Sequence, residues 1–599
     1  MIEFKCIADL EAFLKSEFPQ AEIPSNWNIA PEKCPADMTG DLTVNCFRFA
    51  RIFRAAPDKI AEMSAEFLSR HADVEKAEKI KAFINLTLKG HAVHRDSVAR
   101  LNELLDSGKV PQDKRQRILI EFSAPNTNKP QHLGHVRNNT LGMSLASLFK
   151  RVGHDVIAIN LVNDRGIHIC KSMLAYQRFG NGATPQSTGV KGDHLVGDYY
   201  VKFNAALKLE LEELKKNKPE LAGKDDEDLF LETEIGRATQ KMLLDWEAGD
   251  PEVMALWKTM NSWVFEGFDV TYKRMGIKFD HTYLESQTYL LGKDLVAESL
   301  KRGVFTKRDD GAVVVDLGKM GQKVVLRSDG TSVYITQDIG TTLKKYEDYK
   351  PDSQIWVVGD EQILHFNMLF AILKKMGYSW ADNLFHLVYG MVNLPTGKMK
   401  SREGTVVDAD DLFNEMVELA KDAARERCGD EVSEEEIAAR SEIIGMGALK
   451  FMLLKFNPKT TMTFDPQASV KFEGDTGPYV QYACARINSI ERKSIERGIK
   501  CDDNPDWSLL TKDEEKALSI AAYFYPEALL EAAAKKDNSV LVEYLLDLAK
   551  AFNRFYRECP VLAADDENLR KSRLALCSRI RTILTDGLNT LTIGVPEAM

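Results

Sequence analysis

Two β-α-β textures far apart in one chain, followed by an almost wholly helical final third, predict an α/β protein built on a split, doubly wound (Rossmann-type) parallel sheet. A mixed pattern of helix and strand over residues 1–112 adds an α+β domain in front of it. The expected organisation is a first domain over 1–112, the doubly wound domain over 113–410, a connecting helical region over 411–466 and an all-α domain over 467–599. The sheet is expected to be interrupted by an insertion over about 166–330. Four units agree with 599 residues at roughly 150 per domain.

The elements justify that division in order. The first domain shows helical spacing at Ile7, Leu10, Phe13 and Leu14 and a strand over 81–88, and it closes at the turn-like Asp106-Ser107-Gly108. RILIEFSAP then alternates Ile118, Ile120 and Phe122 against Leu119, Glu121 and Ser123, a strand carrying one carboxylate. VRNNTLGMSLASLFKRVG places Leu141, Leu145, Leu148 and Phe149 at helical spacing, and DVIAINLV is a second strand, parallel to the first across a right-handed crossover. The texture returns as QIWVVGDEQ, the helix ILHFNMLFAILKKMG and the strand FHLVYGMV, with Trp356 and Phe385 expected in the core. Between the two halves lie a charged helical run, LKLELEELKKNKPELAGKDDEDLF, and a hairpin formed by GAVVVDLG and QKVVLRSDG.

Composition narrows the classes. Hydrophobic residues at 44% and charged residues at 28% are ordinary globular usage, which excludes wholesale disorder. With a net charge of −11, any nucleic-acid partner must be met by local basic patches. The nine cysteines include no C-x-x-C pair and no Cys/His cluster at zinc spacing, so reduced thiols and no structural zinc are expected. The first residues lack a signal-peptide pattern and no apolar stretch is long enough to span a bilayer, so a cytoplasmic protein without membrane contact is expected. A monomer is the expectation for assembly, although no residue pattern here determines it.

The chemistry gathers at two junctions. In SAPNTNKPQHLGHVRNN the chain passes from strand to helix, where free N–H groups and the positive end of the helix dipole favour phosphate. Gly134 permits close backbone approach, while His132 and His135 can donate hydrogen bonds to charge developing on phosphate. In isolation, the same letters also describe a helix start with two solvated histidines. The second junction, GKMKSREG, follows the strand FHLVYGMV, and its Lys398 and Arg402 suit a loop closing on a triphosphate.

Together these elements resemble the HIGH and KMSKS signatures of class I aminoacyl-tRNA synthetases, and IEFSAPNTNKPQHLGHVRN, YITQDIG and GDTGPYVQYACARINSI are similar to segments of the arginyl-tRNA synthetase family over nearly the whole chain. The resemblance implies ATP-dependent ligation of L-arginine to tRNA-Arg through an arginyl-adenylate, first at the 2′-hydroxyl of the terminal adenosine. The resemblance further implies that ATP brings Mg²⁺, that adenylation needs bound tRNA, that the helical domain binds the anticodon and that the first domain contacts the tRNA elbow. It also implies that Asn126 and Gln362 hold the ammonium and carboxylate ends of arginine beside Tyr334, and that Glu121 and Asp338 take the guanidinium. His132, Gly134, His135, His365, Lys398 and Met399 fall to ATP. The second signature departs from the family pattern: Ser401 stands where its second lysine is usual, so Arg402, or Lys129 ahead of the first motif, must supply the missing charge.

The residues agree in part on their own terms. A planar, permanently charged guanidinium demands carboxylates, and Glu121 on a covered strand is costly without a partner. Asp338 could equally cap a helix starting at Ile339, and His365 could be satisfied within its own helix. Two basic runs offer RNA contacts: RINSIERKSIERGIK, with Arg486 and Arg492, and RKSRLALCSRIR, with Arg570, Lys571 and Arg573. Phe552, Phe555 and Tyr556 could stack on bases or fill the bundle. The rival readings are a synthetase for another amino acid and a catalytically silent tRNA-binding relative. The missing zinc ligands disfavour cysteine, the pocket carboxylates disfavour methionine, and the intact His132, Gly134, His135 and Lys398 disfavour the silent relative.

Overall fold

The computed structural model describes residues 4–24, 27–35, 37–102, 108–395, 407–426, 432–502 and 504–599. The chain forms two compact units. One comprises Pro111–Ala420 and Leu449–Ser469; the other comprises Met1–Val110, Lys421–Ala448 and Val470–Met599.

The first of these is built on five parallel strands: β1 (Arg117–Glu121), β2 (Asp155–Val162), β3 (His281–Leu284), β4 (Ser353–Gly359) and β5 (Leu384–Tyr389). Their spatial order is β5-β4-β1-β2-β3, so the winding reverses between β1 and β4. Register places Glu121 beside Trp356 on one side and Ile159 on the other. Helix α1 (Leu133–Arg151) connects β1 to β2 and buries Leu141, Leu145, Leu148 and Phe149, as its spacing predicts. It lies so close to the strand that a Cβ on Gly142 would come within 2.2 Å of the Phe122 ring.

Between β2 and β3 stand five α-helices, including α2 (Gly192–Asn217) and α3 (Pro251–Met275). A three-stranded antiparallel sheet then precedes α4 (Tyr334–Tyr349), and α5 (Ile363–Lys375) joins β4 to β5. The expected hairpin is present as Val313–Asp316 against Gln322–Leu326. The expected single insertion over 166–330 is corrected: β3 lies inside that span and belongs to the parallel sheet, so the added material comes in two blocks. Four residues with both ends partly open to solvent carry too little hydrophobic pattern to mark a strand. Trp356 is core, but Phe385 remains 37% exposed on β5.

In the other unit, strands Glu32–Lys33, Leu42–Asn45, Phe83–Leu88 and Val74–Ile80 form an antiparallel sheet in that order, covered by helices Lys5–Glu17 and Pro57–Ser69. The first domain is not the separate appendage expected from its sequence. Ile520 and Tyr523 of the helical bundle belong to its core, Phe4 stacks on Tyr523 at 4.0 Å, and His94 Nδ1 meets the Ser519 hydroxyl at 2.7 Å.

The helix-to-strand approach at Gly142 has a measurable consequence. Gly142→Ala should lower stability by about 1–3 kcal/mol, the usual cost of overpacking a filled core, despite alanine's better helix propensity. Urea unfolding checks it, and an unchanged midpoint would mean that the Phe122 ring moves aside freely.

Candidate active site

A cavity of about 920 Å³ opens beyond the carboxyl ends of β1 and β4, where the winding reverses. One wall is the start of α1. His132 is its N-cap: its Nδ1 accepts from the Gly134 N–H at 3.1 Å, while the His132 N–H donates to His135 Nδ1 at 3.3 Å. With both Nδ1 atoms occupied as acceptors, each ring carries its proton on Nε2, leaving that N–H as a donor. Burial pushes the His132 imidazole down to about 4, helped by the Lys129 charge, and burial holds His135 well below the ordinary range. Both rings are therefore neutral donors near neutral pH. Gly134 is required by this arrangement, because a Cβ there would lie 2.9 Å from His132 Cε1.

The first motif is held by the chain that follows the second. Leu133 N–H donates to the Val407 carbonyl at 2.9 Å and Ala409 N–H to the Gln131 carbonyl at 3.0 Å. The second signature itself, with Lys398, Met399 and Arg402, lies outside the described residues. Lys129 is half-buried and does not line the cavity, yet its charge is felt by both imidazoles.

The same cavity is also lined by acids. Tyr334 and Asp338 stand one turn apart on α4, so Asp338 is inside the helix and not the N-cap that its sequence also allowed. Asp338 Oδ2 meets His365 Nε2 at 2.6 Å, which gives that histidine a partner from another helix. The Asp338 charge, followed by burial, raises the Tyr334 phenol. Asn126, Gln362 and His365 also line the cavity. Glu121 is 7% exposed and ion-paired with Lys345 of α4, itself 1% exposed.

Glu285 lines the same space and was missed from sequence. It follows directly on β3, and burial lifts its carboxyl to about 7, with Arg165 opposing the shift and Asp164 and Asp338 adding to it. A carboxylate at the end of a sheet strand is the signal that would have found it, had β3 been recognised.

The basic runs of the helical bundle divide in the same way. Arg486 lies between the Tyr482 and Tyr556 rings, 4.6 and 4.7 Å from their centroids, and donates to Asn553. Arg492 is exposed, Arg570 donates to the Ala564 carbonyl, and Lys571 pairs with Glu567 at 2.7 Å. Arg573 is a correction: at 5% exposure it donates to Glu515 at 2.7 Å and to the Pro560 carbonyl, so it holds the bundle together and does not face RNA. Phe552 and Phe555 are buried core, whereas Tyr556 is exposed.

Comparison with known proteins agrees with this geometry. Family models match residues 100–465 as a class I (R) tRNA synthetase catalytic domain, 480–599 as a DALR anticodon binding domain and 8–88 as an arginyl tRNA synthetase N terminal domain. The arginine–tRNA ligase of Parabacteroides distasonis is 44% identical over 573 residues, 95% of each chain. That of Treponema denticola is 44% identical over 605 residues, covering 99% of this chain and 98% of the relative. The structure of the Thermus thermophilus arginyl-tRNA synthetase superposes with a TM-score of 0.77 at 26% identity, covering 99% of this chain and 100% of that one. A catalytic match over most of the chain, with flanking domains on both sides and relatives this similar end to end, places the chain in the arginyl-tRNA synthetase family of class I.

Proposed function

We propose that the chain ligates L-arginine to tRNA-Arg in two steps. Arginine's carboxylate attacks the α-phosphorus of ATP in line, expelling pyrophosphate, and the terminal adenosine hydroxyl of the tRNA then attacks the acyl carbon of the adenylate, breaking the acyl–phosphate bond and releasing AMP and the hydroxyl's proton. The observation that carries this is the joint lining of one cavity by two neutral imidazole donors at a helix N-terminus and by acids that suit a fixed cation. No protein nucleophile is needed, so catalysis is positioning and charge stabilisation. Mg²⁺ would enter with ATP and would offset charge developing on the phosphates. Among the described residues, the one Asp/His cluster at metal-binding spacing, Asp193, His194 and Asp410, already holds the Lys191 ammonium. Pyrophosphate exchange that depends on arginine, measured with and without tRNA-Arg, tests the whole reading; exchange driven by another amino acid would overturn it.

Asn126 and Gln362 hold the backbone end of arginine, beside Tyr334. The charge balance reassigns part of the guanidinium site. Lys345 already neutralises Glu121, so Asp338 and Glu285 are the acids best placed to take the new cation, with Glu121 setting the floor. Ionised Glu285 is the binding form, and its carboxyl sits near 7 without ligand, so arginine must displace a proton below that pH. Arginine KM should therefore rise as pH falls from 7.5 to 5.5, approaching about tenfold per unit. In Glu285→Gln the slope should vanish and KM should be high throughout; an identical pH profile in that variant removes Glu285 from the site.

Lys129 supplies the charge absent from the second signature, since its field already reaches both imidazoles. Lys129→Ala should slow single-turnover adenylation by one to three orders of magnitude, about 1.4–4 kcal/mol, with ATP affinity changed far less. A severe defect confined to Arg402→Ala would transfer the role to the loop.

The exposed Arg492 and the half-buried Arg486, Arg570 and Lys571 contact tRNA. Replacing Arg570 and Lys571 with alanine should weaken tRNA binding and reduce the slope of log affinity against log salt by about 0.7 per lost single-strand phosphate contact. Arg573→Ala should instead destabilise the bundle by about 3–5 kcal/mol, because Glu515 is left buried without its partner. Salt titrations alongside thermal melts separate the two.

A further inference from the structure

The first strand runs into a turn that no glycine eases. Ser123 (φ 78°) and Ala124 (φ 47°) both occupy the left-handed region, which is costly for residues bearing a Cβ. Ala124 also precedes Pro125, which restricts its backbone further. Two such residues in succession persist only where their surroundings hold them, and here the holding groups are side chains. Asn138 Oδ1 accepts from the Ser123 N–H at 2.6 Å, and Asn160 Oδ1 accepts from the Ala124 N–H at 3.0 Å. The Tyr272 hydroxyl bonds the Ser123 hydroxyl at 2.7 Å and accepts from Asn160 Nδ2 at 3.2 Å. Asn138 is itself fixed through Nδ2 to the Val357 carbonyl at 2.8 Å. All four side chains are buried, so their hydrogen bonds have no competing water.

The turn leads directly into the cavity. Ser123, Ala124 and Asn126 line it, while Tyr272 does not. On the far side the chain is tied again, by Thr127 N–H to the Asn163 carbonyl at 3.0 Å and Asn163 N–H to the Pro125 carbonyl at 2.9 Å. The direction of Asn126 therefore depends on a short strained segment fixed at both ends.

We propose that Tyr272 is a positioning residue for arginine: with Asn160 and Asn138 it holds the left-handed Ser123–Ala124 turn in the geometry that presents Asn126 to the backbone end of the amino acid. This rests on the reading that Asn126 touches arginine. Tyr272 belongs to α3, so the block of helices between β2 and β3 contributes to amino-acid binding without reaching the substrate.

The test uses the full-length protein, with tRNA-Arg present, and measures KM for arginine and ATP, kcat and the melting temperature. Tyr272→Phe, which removes one hydroxyl and keeps the ring, should raise arginine KM three- to tenfold and leave ATP KM within twofold. Ala124→Gly holds a positive φ without strain, so Tyr272→Phe in that background should change arginine KM by less than twofold. Such a rescue is not expected of a residue that only fills space. If Tyr272→Phe folds poorly, Ser123→Ala removes the same hydrogen bond from its other end and should behave alike. A melting-temperature loss with arginine KM unchanged, while Asn126→Ala raises it, would overturn the proposal and leave the pocket assignment standing. An unchanged arginine KM in Asn126→Ala would overturn the pocket assignment, and the proposal with it.

Discussion

The reversal of winding between β1 and β4 is the constraint on which the site depends. Connections leave β1 and β4 toward opposite faces of the sheet, so the space beyond their carboxyl ends is covered by neither. Parallel strands deliver every strand-to-helix junction to that same edge. The histidine pair follows β1, Glu285 follows β3, and Gln362 and His365 follow β4, so residues far apart in sequence meet around one cavity. The α1 N-terminus faces it with the positive end of the helix dipole, and its capping histidines turn their Nε2–H groups out as donors because both Nδ1 atoms accept from the backbone.

Desolvation then sorts the titratable groups by what faces them. The same burial that keeps His132 and His135 uncharged raises Glu285, and in each case it disfavours the ionised form until a ligand compensates. Glu121 is ion-paired with Lys345, which is buried beside it. The cavity thus contains one acid, Glu121, paired with a buried lysine, and two others, Asp338, which meets His365, and Glu285. Strain is a further part of this preorganisation: two left-handed residues at about 1–3 kcal/mol each are maintained by hydrogen bonds behind the cavity wall.

The other unit solves a different problem. A small antiparallel sheet with two covering helices buries limited area alone, and sharing Ile520 and Tyr523 with the helical bundle enlarges its core. Polar groups join in the same region: Arg100 pairs with Glu527 and stacks over the Tyr523 ring at 4.0 Å. The segments at the two ends of the chain are therefore bound into one compact body, although several hundred residues separate them.

What the sequence by itself determined is what period and junction chemistry can express. The strands over 117–121, 155–162 and 353–359, helix α1, the His132–Gly134–His135 turn and the family all follow from local patterns, because alternation and helical spacing report on residues that are neighbours in the chain. Only the tertiary structure decided which charges face one another. β3 has too few residues to show a period, and Glu285 was hidden with it. The partnerships of Glu121 with Lys345, Asp338 with His365 and Arg573 with Glu515 each join elements whose approach no local pattern encodes. Arg573 shows the physical reason: five cations in a short run look like an RNA-binding face until burial turns one of them inward, and burial is a property of the packed chain.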